Sequence, residues 1–203
     1  MYYVRGLLTS VLAVFSFLSL DSYAFSATNL NKPYRLNLVE IMDVNFNKSV
    51  GAQPRFYVIG NNGRLKSSAG IFIPANRKIL LTITSYDMGN APVLSQYTHI
   101  SGTINNKILL IKSAVASGSD VHKQWGVNVS SIPKSKIIHT FTISSLGINI
   151  PVEAGSTEIA VLKPIKKSGI YYWGCMAACG SGKSGWGSAM ATNGWMRGKS
   201  IVR

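Results

Sequence analysis

Short segments of alternating apolar and polar residues recur along the sequence, and this feature constrains the fold most. The segment 34–41 (YRLNLVEI) alternates over much of its length, as a half-buried strand requires. Clusters of Gly, Pro, Asn and Ser separate the segments, and no window shows a helical stripe of apolar residues. We therefore predict an all-β chain, a Greek-key antiparallel β-sandwich of seven to ten strands. The other predicted strands are 55–59, 78–85, 108–113, 137–143, 159–162, 170–173 and 199–202.

The composition narrows the class of protein further. With 46% hydrophobic residues the chain of 203 residues is not intrinsically disordered, and two cysteines are too few for a disulfide scaffold. The 21 Lys and Arg against 7 Asp and Glu give a net charge of +14. Because the basic residues are dispersed singly or in pairs, we expect no nucleic-acid partner. An acidic redox protein or an anionic membrane surface fits the charge better, and no small-molecule substrate is indicated.

The N-terminal segment has the pattern of an export signal. Arg5 precedes an uncharged run over 6–20, and Ser22 and Ala24 place small residues at the recognition positions of a signal peptidase. We predict a signal peptide over 1–24 and one domain over 25–203, located outside the cytoplasm, in the periplasm or secreted. As a helix the run would be about 22 Å long, short of the roughly 30 Å hydrocarbon core of a bilayer. If it were retained, the protein would be membrane-associated.

One glycine-rich loop near the C-terminus concentrates the groups that carry chemistry. Between 174 and 198 lie seven glycines, two tryptophans, three methionines and both cysteines, Cys175 and Cys179. Thiolate and thioether sulfurs are soft ligands that favour copper, and His139, at the start of a predicted strand, can add an imidazole. Other interpretations stay open at this point. The cysteines could form a plain disulfide in an oxidising compartment, and His139 could be an ordinary buried histidine at a strand end.

The segment from 137 to 202 resembles the copper-binding half of a cupredoxin. The spacing of Cys175 and Cys179 after an aromatic strand is similar to the copper loop of cytochrome c oxidase subunit II and nitrous oxide reductase, with the pattern C-x3-C-x3-H-x2-M. The resemblance implies a bridging role for both cysteines, a ligand role for His139, and a backbone carbonyl ligand at Ala177.

The end of the chain resembles a second branch, the plastocyanin-like blue copper proteins. The run 196–201 (MRGKSI) is similar to their M-x-G-K-V ending, in which the methionine is a weak axial ligand. This resemblance implies that Met196 is the axial ligand, with Met190 as the second choice. Both methionines flank Trp195, so packing in the core is the alternative role for each.

The loop departs from both branches in one respect, since residues 176–203 contain no histidine. Lys183 and Trp186 stand where the subunit II pattern has His and Met. The remaining donors suit a single Cu(I), or a mononuclear copper of atypical colour, better than two copper ions. His99 or His122 could supply another imidazole, although surface positions are expected for both.

Two functions follow as hypotheses. The first is a copper-dependent electron carrier, copper-handling protein or subunit-II-like electron-entry domain, rather than a stand-alone enzyme. The second is a copper-free interaction or structural module with a Cys175–Cys179 disulfide. A thiol enzyme using His139 is disfavoured because a loop between strands lacks the helix N-terminus that usually activates a cysteine. The segment 87–136 is longer than a minimal cupredoxin needs and could form a lid, a docking surface or an extra hairpin.

Overall fold

The structure, a computed structural model, describes residues 32–47, 51–115 and 122–203. The predicted signal peptide, 1–24, lies outside the described residues, and Lys32–Arg203 form one compact unit. Twelve strands are present in the described part of the chain. They are β1 (Tyr34–Asn47), β2 (Gly51–Ile59), β3 (Leu65–Ser67), β4 (Gly70–Ile73), β5 (Ile79–Ser85), β6 (Ile108–Val115), β7 (His122–Val129), β8 (Ile137–Ile143), β9 (Ile148–Glu153), β10 (Ser156–Leu162), β11 (Gly169–Gly174) and β12 (Arg197–Val202).

The strands form two sheets. The first has seven strands in the order β3-β2-β1-β5-β10-β6-β7, and the second has five in the order β4-β12-β11-β8-β9. Most neighbours are antiparallel, but β1 pairs with β5 and β12 with β4 in parallel. The prediction of an all-β sandwich is confirmed. The details were wrong in two respects, because the described strands number more than ten and the sheets are mixed.

A common core joins the sheets. In β1 and β5 every second residue points inward, which buries Leu36 and Leu38 beside Leu81 and Ile83. Three aromatic rings pack against one another in the core. Phe56 of β2 packs edge-on against Phe141 of β8 and Trp173 of β11, with ring centroids 6.4 and 5.8 Å apart. Each such aromatic contact stabilises the fold by about 0.5–1.5 kcal/mol beyond the contribution from burial of the rings.

The segment 114–131, which is outside all the predicted strands, contains β7. We expected no strand in 114–131, yet β7 pairs with β6 along its whole length and forms a hairpin. The prediction missed the alternation of Trp125, Val127 and Val129 in β7, an edge strand whose side chains over 124–128 are all exposed. Of the three roles considered for 87–136, an extra hairpin is therefore present. The described part of the chain contains no helix with the length and apolar character of a membrane span.

Glu158 on β10 is a buried carboxyl group away from the cysteine loop. It is fully buried, and its Oε1 accepts hydrogen bonds from Ser156 Oγ (2.6 Å) and from the backbone N–H of Glu153 (2.9 Å). Burial raises the pKa of Glu158 from 4.5 to about 8 despite these hydrogen bonds. The folded state therefore holds a proton on Glu158 that the unfolded state releases at lower pH.

This proton makes stability depend on pH. Between pH 4.5 and 8 the folded state binds more protons than the unfolded state, so the contribution of Glu158 to stability is full below pH 4.5 and falls as pH rises to about 8. Glu158→Gln should remove this fall. In denaturant unfolding, the stability of the variant relative to wild type should rise by about 1 kcal/mol or more from pH 5 to 8, since one pKa unit is worth about 1.4 kcal/mol. If the stability of wild type and of Glu158→Gln changed with pH in parallel, this prediction would be contradicted.

Candidate metal centre

His139 lies on the core face of β8. The whole strand is buried, and His139 shares its face with Phe141 and Ile143 because alternate residues of a strand point the same way. The ring packs edge-on against Phe56, with centroids 6.1 Å apart. The pairing of β8 with β9 shifts register between Ile137 and His139, an irregularity that redirects side chains at the end of a sheet.

Cys175 follows the last residue of β11 and lies beside β8. Its N–H donates to the carbonyl of Met196 (2.8 Å), so the loop starts as a continuation of the β11–β12 pair. Its Sγ accepts a hydrogen bond from the N–H of Thr140 (3.3 Å). In return, the N–H of Met176 donates to Thr140 Oγ1 (2.8 Å). These bonds place the Cys175 sulfur next to the strand that carries His139.

The rest of the loop folds back on itself. The N–H of Ala178 donates to the carbonyl of Pro92 (2.8 Å), which ties the loop to the segment after β5. Gly180 allows the close approach that follows, since a Cβ there would overlap the carbonyl oxygen of Gly187 and press on the Met190 side chain. Met190 is thereby buried against Cys179.

Three sulfur atoms and one imidazole meet at this end of the sandwich. The Sγ atoms of Cys175 and Cys179 are 3.5 Å apart, and Cys179 Sγ is 3.3 Å from the Sδ of Met190. His139, Cys175 and Cys179 each offer a ligand atom within 4.8 Å of the others. Both cysteines are free thiols. The carbonyl of Ala177 lies 3.5 Å from Cys175 Sγ, so it borders the same space.

The Nε2 atom of the His139 ring faces two carboxylates. Its Nε2 hydrogen-bonds Asp87 Oδ2 at 3.1 Å, and Glu40 Oε1 lies at the same distance as an ion-pair partner without hydrogen-bond geometry. Within the described residues the other ring nitrogen, Nδ1, has no hydrogen-bond partner, and the ring offers a ligand atom within 4.8 Å of both cysteine sulfurs. A buried ring nitrogen that lacks a hydrogen-bond partner and lies beside two thiols is the arrangement expected of a metal ligand before the metal binds.

The charges in this cluster shift one another. Burial lowers the pKa of His139, but its interactions with Asp87, Cys175 and Glu40 outweigh it and leave that pKa well above the ordinary value. Burial raises the pKa of Cys175, but the hydrogen bond with Cys179 and the neighbouring His139 hold it well below the ordinary value. The hydrogen bond with Cys175, together with burial, raises the pKa of Cys179. Of the two thiols, Cys175 therefore has the lower pKa and loses its proton first.

The donor geometry fits one metal ion. With metal–sulfur bonds of about 2.3 Å, as in zinc thiolates, two sulfurs 3.5 Å apart subtend about 100° at a shared ion, close to the tetrahedral angle. Nδ1 would supply the nitrogen ligand and Met190 the thioether. Binding requires the thiols and Nδ1 to be unprotonated, so metal uptake competes with acid.

The other candidate residues are placed as follows. Met196 is fully buried, and its backbone groups form hydrogen bonds with those of Cys175 and Ala189. A ligand role for its side chain stays a prediction. Lys183 and Trp186 are exposed, and Met190 rather than either of them approaches the cysteines. His99 is exposed as expected. His122 begins β7, and its side chain lies outside what the structure describes.

Sequence reasoning missed Glu40 and Asp87. The available signal was the register of β1, where Glu40 falls on the same face as Leu36 and Leu38. A carboxylate at an inward position of an alternating strand needs partners, and those of Glu40 are Ser85 and His139. Asp87 lies two residues after the end of β5.

Comparison with known proteins gives a likeness of structure and none of sequence. No protein-family model and no curated protein matches the chain. Among solved structures, the periplasmic domain of subunit II of cytochrome oxidase from Bradyrhizobium japonicum is 12% identical, covers 86% of this chain and 87% of its own, and has a TM-score of 0.37. Rusticyanin from Thiobacillus ferrooxidans is 16% identical, with coverage of 83% and 76% and a TM-score of 0.32.

A multicopper oxidase from Campylobacter jejuni is also similar, at 12% identity and a TM-score of 0.38. The match covers 84% of this chain but 30% of the oxidase. At such TM-scores these likenesses carry no residue roles. The function is therefore argued from the contacts of the chain itself.

Proposed function

We propose that this chain is an extracytoplasmic, cupredoxin-like protein that binds a single copper ion and transfers electrons through it. The ligands are Nδ1 of His139, the thiolates of Cys175 and Cys179, and the thioether of Met190. The supporting observation is the meeting of an unpartnered, buried imidazole nitrogen with two free thiols and a thioether in the loop between β11 and β12.

The donor set favours copper over zinc. Zinc takes thiolates and imidazole readily, but thioether ligands select Cu(I). Met190 Sδ lies as close to Cys179 Sγ as Cys175 Sγ does. One imidazole beside three sulfurs also stabilises the reduced ion more than the oxidised one. We expect a mononuclear centre, since these donors are too few to complete the coordination of two copper ions.

Burial of the donors favours a resident ion over an exchanging cargo. His139 is fully buried, Cys175 is 3% exposed and Met190 is 7% exposed. Hydrogen bonds from the Thr140 N–H to Cys175 Sγ and from the Ala178 N–H to the Pro92 carbonyl hold the loop before any metal arrives. A site held in place changes shape little when the ion changes charge, which suits electron transfer. The net charge of +14 supports docking to an acidic redox partner or an anionic membrane surface outside the cytoplasm.

An anaerobic titration tests the proposal. The reduced protein is titrated with Cu(I) against a competing chelator, and Zn(II) is titrated in parallel. We expect one Cu(I) per chain, tighter binding than Zn(II), and weaker binding as the pH falls because protons compete for Nδ1 and the thiols. If the reduced wild type retains no Cu(I), the copper site is refuted and the Cys175–Cys179 disulfide module becomes the better account.

The identity of the thioether ligand is a separate prediction. Because an axial thioether bond is long and weak, Met190→Leu should leave Cu(I) bound but change the reduction potential and the visible spectrum of the oxidised protein. Met196→Leu should change both less, and Met88→Leu, at a residue 74% exposed, serves as the control. A potential that moves with Met196→Leu and not with Met190→Leu would make Met196 the axial ligand.

A further inference from the structure

Glu40 and Asp87 are each fixed by one carboxylate oxygen and present the other to His139. Glu40 Oε2 accepts a hydrogen bond from Ser85 Oγ (2.8 Å), while Oε1 lies 3.1 Å from His139 Nε2. Asp87 Oδ1 accepts from the N–H of Met88 (2.8 Å), while Oδ2 lies 3.1 Å from the same nitrogen. Neither carboxylate can turn away without giving up its own hydrogen bond.

The two carboxylates reach His139 from the opposite sheet. Glu40 on β1 is in parallel register with Ser85 on β5, so the pair that hydrogen-bonds is set by the pairing of these strands. Asp87 follows two residues after β5, and its carbonyl accepts the N–H of Gly155 (3.0 Å). His139 belongs to the five-stranded sheet. The ring is thus held across the interior between the two sheets.

The fold alone does not explain Glu40. The side chain is fully buried at a position where β1 otherwise points leucines into the core. A buried ion pair is often no more stabilising than apolar residues of similar volume, so an aliphatic residue would serve the packing equally well or better. A carboxylate here must therefore be accounted for by what it does to His139.

We propose that Glu40 and Asp87 are positioning residues for the metal centre, which keep the ring proton on Nε2 and so present Nδ1 to the metal. The inference rests on the proposed copper site and deepens it. An N–H held by carboxylates also makes the imidazole a stronger donor, and the negative charge behind the ring stabilises Cu(II) more than Cu(I). The two carboxylates thus counteract the preference of the sulfur ligands for the reduced ion.

The test separates charge, hydrogen bonding and packing. Glu40→Gln keeps an acceptor but removes the charge, Glu40→Leu removes both, and Asp87→Asn repeats the first change at a site that is less buried. Glu158→Gln is the control, since it makes the same substitution at a fully buried carboxyl group whose hydrogen bonds come from Ser156 and Glu153. For each copper-loaded protein we measure Cu(I) affinity and reduction potential, with circular dichroism as the check on folding.

We expect Glu40→Leu to lower Cu(I) affinity tenfold to a hundredfold, the range of about 10–100-fold typical for loss of an outer partner of a metal-binding histidine. Glu40→Gln should recover most of this affinity, and the potential should rise in all three site variants because negative charge is lost. Glu158→Gln should match wild type in both quantities. Folded site variants with wild-type affinity and potential would overturn the proposal.

A measurement on the metal-free protein keeps this result separate from the copper proposal. The chain has three histidines, so nitrogen NMR can follow the ring of His139 in the reduced, metal-free protein at a pH where it is neutral. In wild type the proton should be on Nε2. In the Glu40→Leu/Asp87→Leu double variant it should shift toward Nδ1, beside Cys175. An unchanged tautomer would refute the positioning role even if copper binds.

Discussion

Cys175→Ser and Cys179→Ser should each abolish copper retention by the reduced protein. A serine hydroxyl is a hard, protonated group that does not replace a thiolate for a soft ion. Each change removes one of two thiolates, so the loss should exceed the roughly hundredfold upper range expected for an outer partner of the ligands. The effect should be the largest of any single substitution at the site.

The comparison that decides this prediction uses Cu(I), an anaerobic buffer and a competing chelator. His139→Ala should also weaken binding, because it removes the nitrogen donor, whereas Met88→Leu should bind as wild type does. Because Cys175 has the lowered pKa and the backbone hydrogen bond from Thr140, we expect its replacement to be the more damaging of the two. Equal retention by wild type, Cys175→Ser and His139→Ala would refute the site.

The inner strands of both sheets were predictable from sequence, and the strands at the sheet edges were not. β8 was predicted with its observed bounds, Ile137–Ile143, because all seven of its side chains are buried. β9 lies at the edge of the five-stranded sheet and carries Pro151, a residue that an edge strand tolerates but that weakens the sequence pattern. β7 lies at one edge of the seven-stranded sheet, and Trp125 and Val127 of its short alternation are exposed rather than packed in the core.

The meeting of the candidate donor residues was predictable from sequence, and the residues that support them were not. His139 and the two cysteines follow from residue type, spacing and the family resemblance, and the structure brings their ligand atoms together. The place of Met190 depends on how the glycine-rich loop folds back, which spacing does not determine. Glu40 is separated from His139 by almost a hundred residues, and only the parallel pairing of β1 with β5 and the packing of the sheets bring them together.

Phe56→Ala should lower the free energy of unfolding by about 3–5 kcal/mol, the range for removal of a buried aromatic side chain. Phe56 is fully buried, and its ring contacts Phe141, Trp173 and His139. Since domains of this kind have about 5–15 kcal/mol of stability in total, the change removes a large share of it. Denaturant unfolding of the metal-free protein measures the effect. Phe72→Ala, at a residue 40% exposed, is the matched control and should change stability far less.

The same substitution connects the core to the metal centre. Without the Phe56 ring, His139 loses its edge-on neighbour and is held by the carboxylates alone, so copper affinity should fall together with stability. Bound copper should restore part of the lost stability, by about 2.7 kcal/mol at a free concentration one hundred times the dissociation constant. Phe56→Leu refills part of the cavity and should recover more stability than affinity. If Phe56→Ala destabilised the metal-free protein but left copper affinity unchanged, the ring would contribute to packing only, and the orientation of His139 would depend on Glu40 and Asp87.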